Sequence, residues 1–276
     1  MKVTMNKTLL AVAMTAALGV ASTSAMAALF NPFSVTESSV PGASANPALS
    51  SQQAGKITGN YTESVTFSGG ASGAFTTSIR WNAGQFVGTD GVTVLPNQLG
   101  GFTANQYGLY ALVTGSGTYA PGAGSTTVFT FSPGGTLAAW IDPSSNTTFS
   151  GVSVVPTFAG DDYQVATGSV VSGSGTLDPS LSTCGGGGIN CGSFGTTTNF
   201  ILTTLGQSYF SGPSPFYNLA FESGQFNTLT PSAGGTQTTN GSLDVVFGRV
   251  PEPASLALMG IGLLGLGASV RRRKQA

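Results

Sequence analysis

Through the middle of the chain apolar side chains recur at every second position, in short runs set apart by clusters of Gly, Pro, Asn and Ser. From Phe75 to Trp81, the side chains of Phe75, Thr77, Ile79 and Trp81 share one face, while Thr76, Ser78 and Arg80 line the other. That two-residue period is the mark of a half-buried strand. The same period runs through Tyr107, Leu109, Ala111 and Val113, through Thr127, Phe129 and Phe131, and through Leu243, Val245 and Phe247. It also runs through Tyr61, Glu63, Val65 and Phe67, where Glu63 is the one charged exception. Further strand candidates are Thr136–Ile141, Val152–Val155, Gln164–Val171, Asn199–Leu205 and Tyr217–Phe221. Between 28 and 250 no amphipathic helix of ordinary length stands out and no repeat recurs at a fixed spacing. Many short strands joined by turns predict an all-β body, an antiparallel β-sandwich or jelly-roll-like domain over residues 28–250.

Composition narrows what such a body can do. Only 7% of the 276 residues are charged, where an ordinary domain carries about 25%. There is no His, which removes Ser-His-Asp and Cys-His nucleophilic systems and HExxH zinc sites. Six of the nine basic residues lie in the first seven or last six positions, so residues 28–250 keep three basic against nine acidic residues. A body without clustered Lys and Arg offers no phosphate-binding surface, and nucleic-acid binding is set aside.

The charges at the two ends read as addresses. Lys2 and Lys7 precede an apolar run from Leu9 to Val20, followed by small residues ending in Ala25-Met26-Ala27. This is the layout of a signal peptide over 1–27, cleaved after Ala27 so that the mature chain starts at Ala28. At the other end, residues 254–270 carry no charge and have the length of a short single transmembrane helix. Arg271, Arg272, Arg273 and Lys274 follow, and basic residues beside a span favour the cytoplasmic side. Gly260, Gly262 and Gly265 match the dinucleotide-binding spacing, but the segment follows no strand and opens no βαβ unit, so that reading is rejected.

Directly before the span stands Pro251-Glu252-Pro253. Two prolines lack N–H donors and fix φ, which keeps the segment extended where the chain meets the membrane. Pro-Glu-Pro, one apolar helix and a basic cluster in that order resemble the PEP-CTERM sorting signal over 251–276. The resemblance implies an exosortase-type processing enzyme as partner. It also implies transient anchoring in the inner membrane with the body in the periplasm, then delivery to the cell surface or extracellular matrix.

Within the body, Cys184 and Cys191 flank a glycine-rich stretch, and in an exported chain so close a pair predicts a disulfide. Asp161-Asp162 is the one adjacent acidic pair, and Asp142 opens an oxygen-rich loop through Asn146 and Thr148. Asp142, Ser144 and Asn146 resemble the start of an EF-hand loop, yet Thr147 and Ser153 stand where its Gly and closing Glu belong. Turn formation by Asp, Asn and Ser side chains is the competing use, and no metal or cofactor is assigned. Trp81, Trp140, Tyr107, Tyr110, Tyr163 and Tyr217 are candidates to stack on sugars, with Tyr110, opposite in phase to Leu109, expected to face outward. No catalytic residue is assigned.

The segments Asn31-Pro32-Phe33-Ser34-Val35, KITGNYTE at 56–63, FTTSIRWNAGQF at 75–86, YGLYAL at 107–112, IDPSSNTTF at 141–149, GDDYQVATGS at 160–169 and GGTQTTNGSLDVVF at 234–247 are similar to the flocculation-associated PEP-CTERM protein family. That resemblance implies a non-enzymatic protein holding cells and exopolysaccharide together in flocs or biofilm. A discrete carbohydrate-binding, lectin-like module is the alternative, and a polysaccharide-active enzyme a remote one.

Overall fold

Alternation that the sequence shows over seven residues extends, in the computed structural model, into strands of up to 16. The structure describes residues 30–51, 53–100, 106–150, 156–157, 160–184 and 190–248. The strands are β1 (Ala54–Phe67), β2 (Gly73–Gly88), β3 (Gly108–Pro121), β4 (Thr127–Phe131), β5 (Gly134–Asp142), β6 (Thr148–Phe149), β7 (Pro156–Thr157), β8 (Tyr163–Leu177), β9 (Gly192–Asn199), β10 (Ile201–Leu202), β11 (Leu219–Phe226) and β12 (Gly235–Gly248). Apart from the small β6–β7 ribbon, the strands form one sheet in which every pairing is antiparallel. β4 and β5 lie end to end between β3 and β8, and β9 and β10 lie end to end along β8. β9 then pairs with β11, β11 with β12, and β12 returns to β1, with Ile57 opposite Val245 and Phe67 opposite Gly235.

The ladder therefore closes on itself as an antiparallel barrel of eight strand positions. This corrects the expected architecture: the body is all-β, but a sandwich or jelly roll needs two facing sheets, and here one meandering sheet joins its first strand to its last. Closure removes the exposed edges that an open sheet must protect.

An eight-strand barrel has an interior just wide enough for side chains to fill. Tyr61, Val65 and Phe67 of β1 point inward with Phe75, Ile79 and Trp81 of β2, as their period predicts, and all are buried. Towards one end Phe194 and Phe226 meet at 5.0 Å, Phe129 and Phe226 at 5.1 Å, and Phe75 and Phe131 at 5.2 Å. Room for these rings comes from glycine. A Cβ on Gly175 would lie 2.7 Å from the Phe226 ring, and one on Gly224 would lie 2.6 Å from the Phe194 ring.

The two ends of the barrel differ in their connections. At one end the strands are joined through 68–72, 122–126, 178–191 and 227–234, and the longest of these, 178–191, is held by the bonded sulfurs of Cys184 and Cys191, 1.98 Å apart. At the other end run the longer connections 89–107, 143–162 and 203–218. The segment before β1 covers that same end: Phe33 bridges to Ala54, Ser34 to Gly212, and the Phe33 ring packs against Phe247 at 5.1 Å.

Candidate functional site

The long-loop end gathers most of the unusual chemistry. Glu37, 1% exposed, accepts hydrogen bonds from the Gln98 backbone N–H (2.9 Å), Asn46 Nδ2 (3.1 Å) and the Tyr107 hydroxyl (3.0 Å). The Tyr107 and Tyr209 hydroxyls lie 2.6 Å apart, and burial holds both phenols well above their ordinary pKa. This network ties the segment before β1, the 89–107 connection and the short helix Thr204–Tyr209 to one another. It is fully enclosed, so it locks the cap of the barrel and does not face a ligand.

Outside the barrel wall, the described part of the 143–162 connection lies over β2 and β3 through Phe149, which contacts Arg80 and Tyr110. It brings together acidic residues that are 19 positions apart in the chain: one oxygen from each of Asp142, Asp161 and Asp162 lies within 4.8 Å of the others. Such a group could hold a hard cation. The hydrogen bonds display the other use that the sequence suggested, since Asp142 accepts from the Ser144 and Thr147 backbone N–H groups at 3.2 and 2.8 Å. Ser144 Oγ donates to Asp161, and Thr147 Oγ1 and the Tyr110 hydroxyl both donate to Asp162. Tyr110 points outward as its phase requires, but it is only 3% exposed. The expectation of an exposed ring is thus corrected: Phe149 packs edge-on against it at 5.6 Å and in turn carries Arg80 over its face at 4.5 Å. Burial and the bond to Asp162 raise the Tyr110 phenol.

Inside the barrel sit two acids. Glu63 accepts from Thr77 Oγ1 at 2.5 Å, while its Oε2 is buried with no partner among the described residues. Glu222 accepts from Thr196 and Thr198 at 2.6 and 2.7 Å. Burial pushes each carboxyl up to about 7, with the threonine hydroxyls pulling the other way. Glu63 was visible in the sequence as a charge on an apolar face. Glu222 was missed because its strand, Ala220, Glu222, Gly224 and Phe226, alternates through a charge and a glycine. Glu222 also borders a small interior cavity of about 30 Å³, room for a water molecule and no more than a few atoms.

An open concavity of about 510 Å³ lies where β10 passes into the 203–218 connection. Phe216 and Tyr217 form part of its wall and are half-buried, Gln207, Ser214 and Asn218 are exposed, and Ile201 is 61% exposed. No Asp, Glu, Lys or Arg lines it. Of the other aromatic candidates, Trp81 faces the lumen and donates to the Leu243 carbonyl, Tyr107 belongs to the Glu37 network, and Trp140 and Tyr163 are half-buried in the wall.

β12 ends at Gly248, at this same end of the barrel. Residues 249–273 match the family model of the PEP-CTERM protein-sorting motif. The chain carries a PEP-CTERM sorting signal. No curated protein and no solved structure matches it. The PEP-CTERM signal implies an exported protein that is sorted by an exosortase. Ala25, Ala27 and Ala28, the tripeptide Pro251, Glu252 and Pro253, the 254–270 span and the basic tail Arg271, Arg272, Arg273 and Lys274 all lie outside the described residues. Among the described residues no helix is long and apolar enough to cross a membrane.

Proposed function

We propose that this protein is a surface or extracellular-matrix component with a structural, adhesive role in floc or biofilm formation, acting on exopolysaccharide and catalysing no reaction. The sorting signal at 249–273 carries the reading, because it marks the chain for export and exosortase sorting, the route by which a matrix component would leave the cell. In the proposed route the body is held at the inner membrane through 254–270 and then released to the surface. The barrel suits the role physically. Among the described residues every strand of the barrel but the two-residue β10 is paired on both sides, which leaves little edge to template aggregation; charges to repel a neighbour at close range are few, and the chain is rich in Ser and Thr hydroxyls. A catalytic reading fares worse, since Glu63 and Glu222 are sealed in the lumen where a polymer cannot reach them.

The test is a deletion strain. Cells lacking the protein should disperse while polysaccharide synthesis continues, and the protein should fractionate with the matrix in the wild type. Flocs that persist unchanged would refute the role. The open groove of about 510 Å³ favours a second reading, a discrete lectin-like module, which differs in showing saturable binding to a defined oligosaccharide.

A further inference from the structure

We propose that the groove between β10 and the 203–218 connection is a binding site for a neutral glycan segment; this deepens, and rests on, the polysaccharide-contacting role proposed above. Its volume, about 510 Å³, falls within the range of small-ligand sites, which is roughly 300–1,000 Å³. The lining selects the ligand class. A sugar presents C–H faces that pack on aromatic rings and hydroxyls that both donate and accept hydrogen bonds. Phe216 and Tyr217 offer rings, and the amide of Gln207 and hydroxyl of Ser214 can both donate and accept. A charged ligand would lose hydration on entering and find no opposite charge in the lining. Two other surface clefts, of about 480 and 280 Å³, each carry a carboxylate, Asp244 and Asp142, so of these three clefts the groove is the uncharged one.

The floor of the groove is also held in place before any ligand arrives. The Phe200, Phe210 and Phe216 rings meet Phe247 at 4.9, 5.6 and 5.2 Å, which fixes them to the last strand of the barrel. The Tyr217 hydroxyl donates to the Pro32 carbonyl at 2.9 Å, tying the wall to the segment before β1. A wall fixed in this way gives up little conformational entropy on binding.

The test uses the processed protein recovered from the culture matrix. Its probes are cello-, malto- and chito-hexaose, hexagalacturonate, and size-fractionated fragments of the host's own exopolysaccharide, followed by saturation-transfer NMR and calorimetry. At least one neutral oligosaccharide should saturate, with hexagalacturonate tenfold weaker or worse. Gln207→Ala should weaken that binding several-fold, and Ile201→Trp, which fills the groove from an exposed position, should abolish it. Val128→Trp, at another exposed apolar position on the wall away from the groove, should leave binding unchanged. All three variants should keep the wild-type unfolding midpoint, which separates loss of binding from loss of fold. The site is overturned if no neutral oligosaccharide saturates, if hexagalacturonate binds as well, or if Ile201→Trp binds like wild type. The adhesive role stands or falls separately: if deletion disperses the cells and the groove variants fully restore flocs, only the groove assignment fails. If deletion leaves flocs intact, the role itself fails.

Discussion

Glu63 and Glu222 point into a lumen where threonine hydroxyls are the groups that reach them. Each carboxyl is raised by burial from 4.5 in a solvated chain to about 7 in the fold, so between those values the folded state binds protons that the unfolded state has released. Stability therefore falls as pH rises through this window. The contribution is fully present below about pH 4.5 and gone once pH passes about 7, on the order of 3 kcal/mol for each acid. Denaturant midpoints measured from pH 5 to pH 8 should decline in the wild type. Glu63→Gln with Glu222→Gln should flatten that decline and leave the double variant the more stable protein at pH 8. An identical slope in both proteins would count against neutral acids in the lumen. Glu63 could be read from sequence because it interrupts an otherwise apolar face. The lumen that shifts its proton could not, since the neighbours Thr77 and Thr239 arrive from strands paired to β1 on either side.

At the scale of a strand, the glycine content acquires a purpose that composition alone did not show. Gly224 on β11 faces inward beside Phe194 of β9, and an added Cβ would sit 2.6 Å from that ring. Gly224→Ala should destabilise the barrel by about 1–3 kcal/mol, the usual cost of overpacking, read as a lower thermal midpoint. Trimming the ring in the Gly224→Ala, Phe194→Leu double variant should recover part of that loss. The disulfide works on a connection and not on the lumen: Cys184→Ser should cost about 2–3 kcal/mol by the loop-closure model, with reductant reproducing the loss in the wild type. Local alternation made β1, β2 and β3 legible in the sequence, because side-chain phase depends only on neighbouring residues. Partner choice depends on the whole ladder, so nothing in Leu243, Val245 and Phe247 announced that β12 closes on β1. Tyr110 shows the same division. Its phase was legible, and its burial under Phe149 was not, because the cover comes from a connection whose path local pattern does not encode.

For the whole molecule, what matters is where the chain enters and leaves. Asn31 donates to the Phe247 carbonyl at 3.0 Å and Gly248 lies opposite Leu219, so both described ends of the chain sit at the long-loop end, next to the groove. Ala254, where the proposed span begins, follows Gly248 by six residues, which reach at most about 20 Å when fully extended. In an unprocessed, membrane-held precursor the long-loop end must then face the bilayer at close range, with the disulfide-bearing end directed away. Glu252→Ala, or removal of Arg271 to Lys274, should block processing and accumulate that precursor in the membrane fraction. Within it, a cysteine introduced by Gln207→Cys at the groove should react with a bulky polymer-linked maleimide several-fold more slowly than one introduced by Ala123→Cys at the opposite end. In the released protein the two exposed positions should react at similar rates. Equal rates in the precursor would mean that the barrel is not held with this end to the membrane. The predicted difference would instead make sorting and glycan contact sequential under the proposed anchoring, with the groove open to a large polymer once processing has released the body.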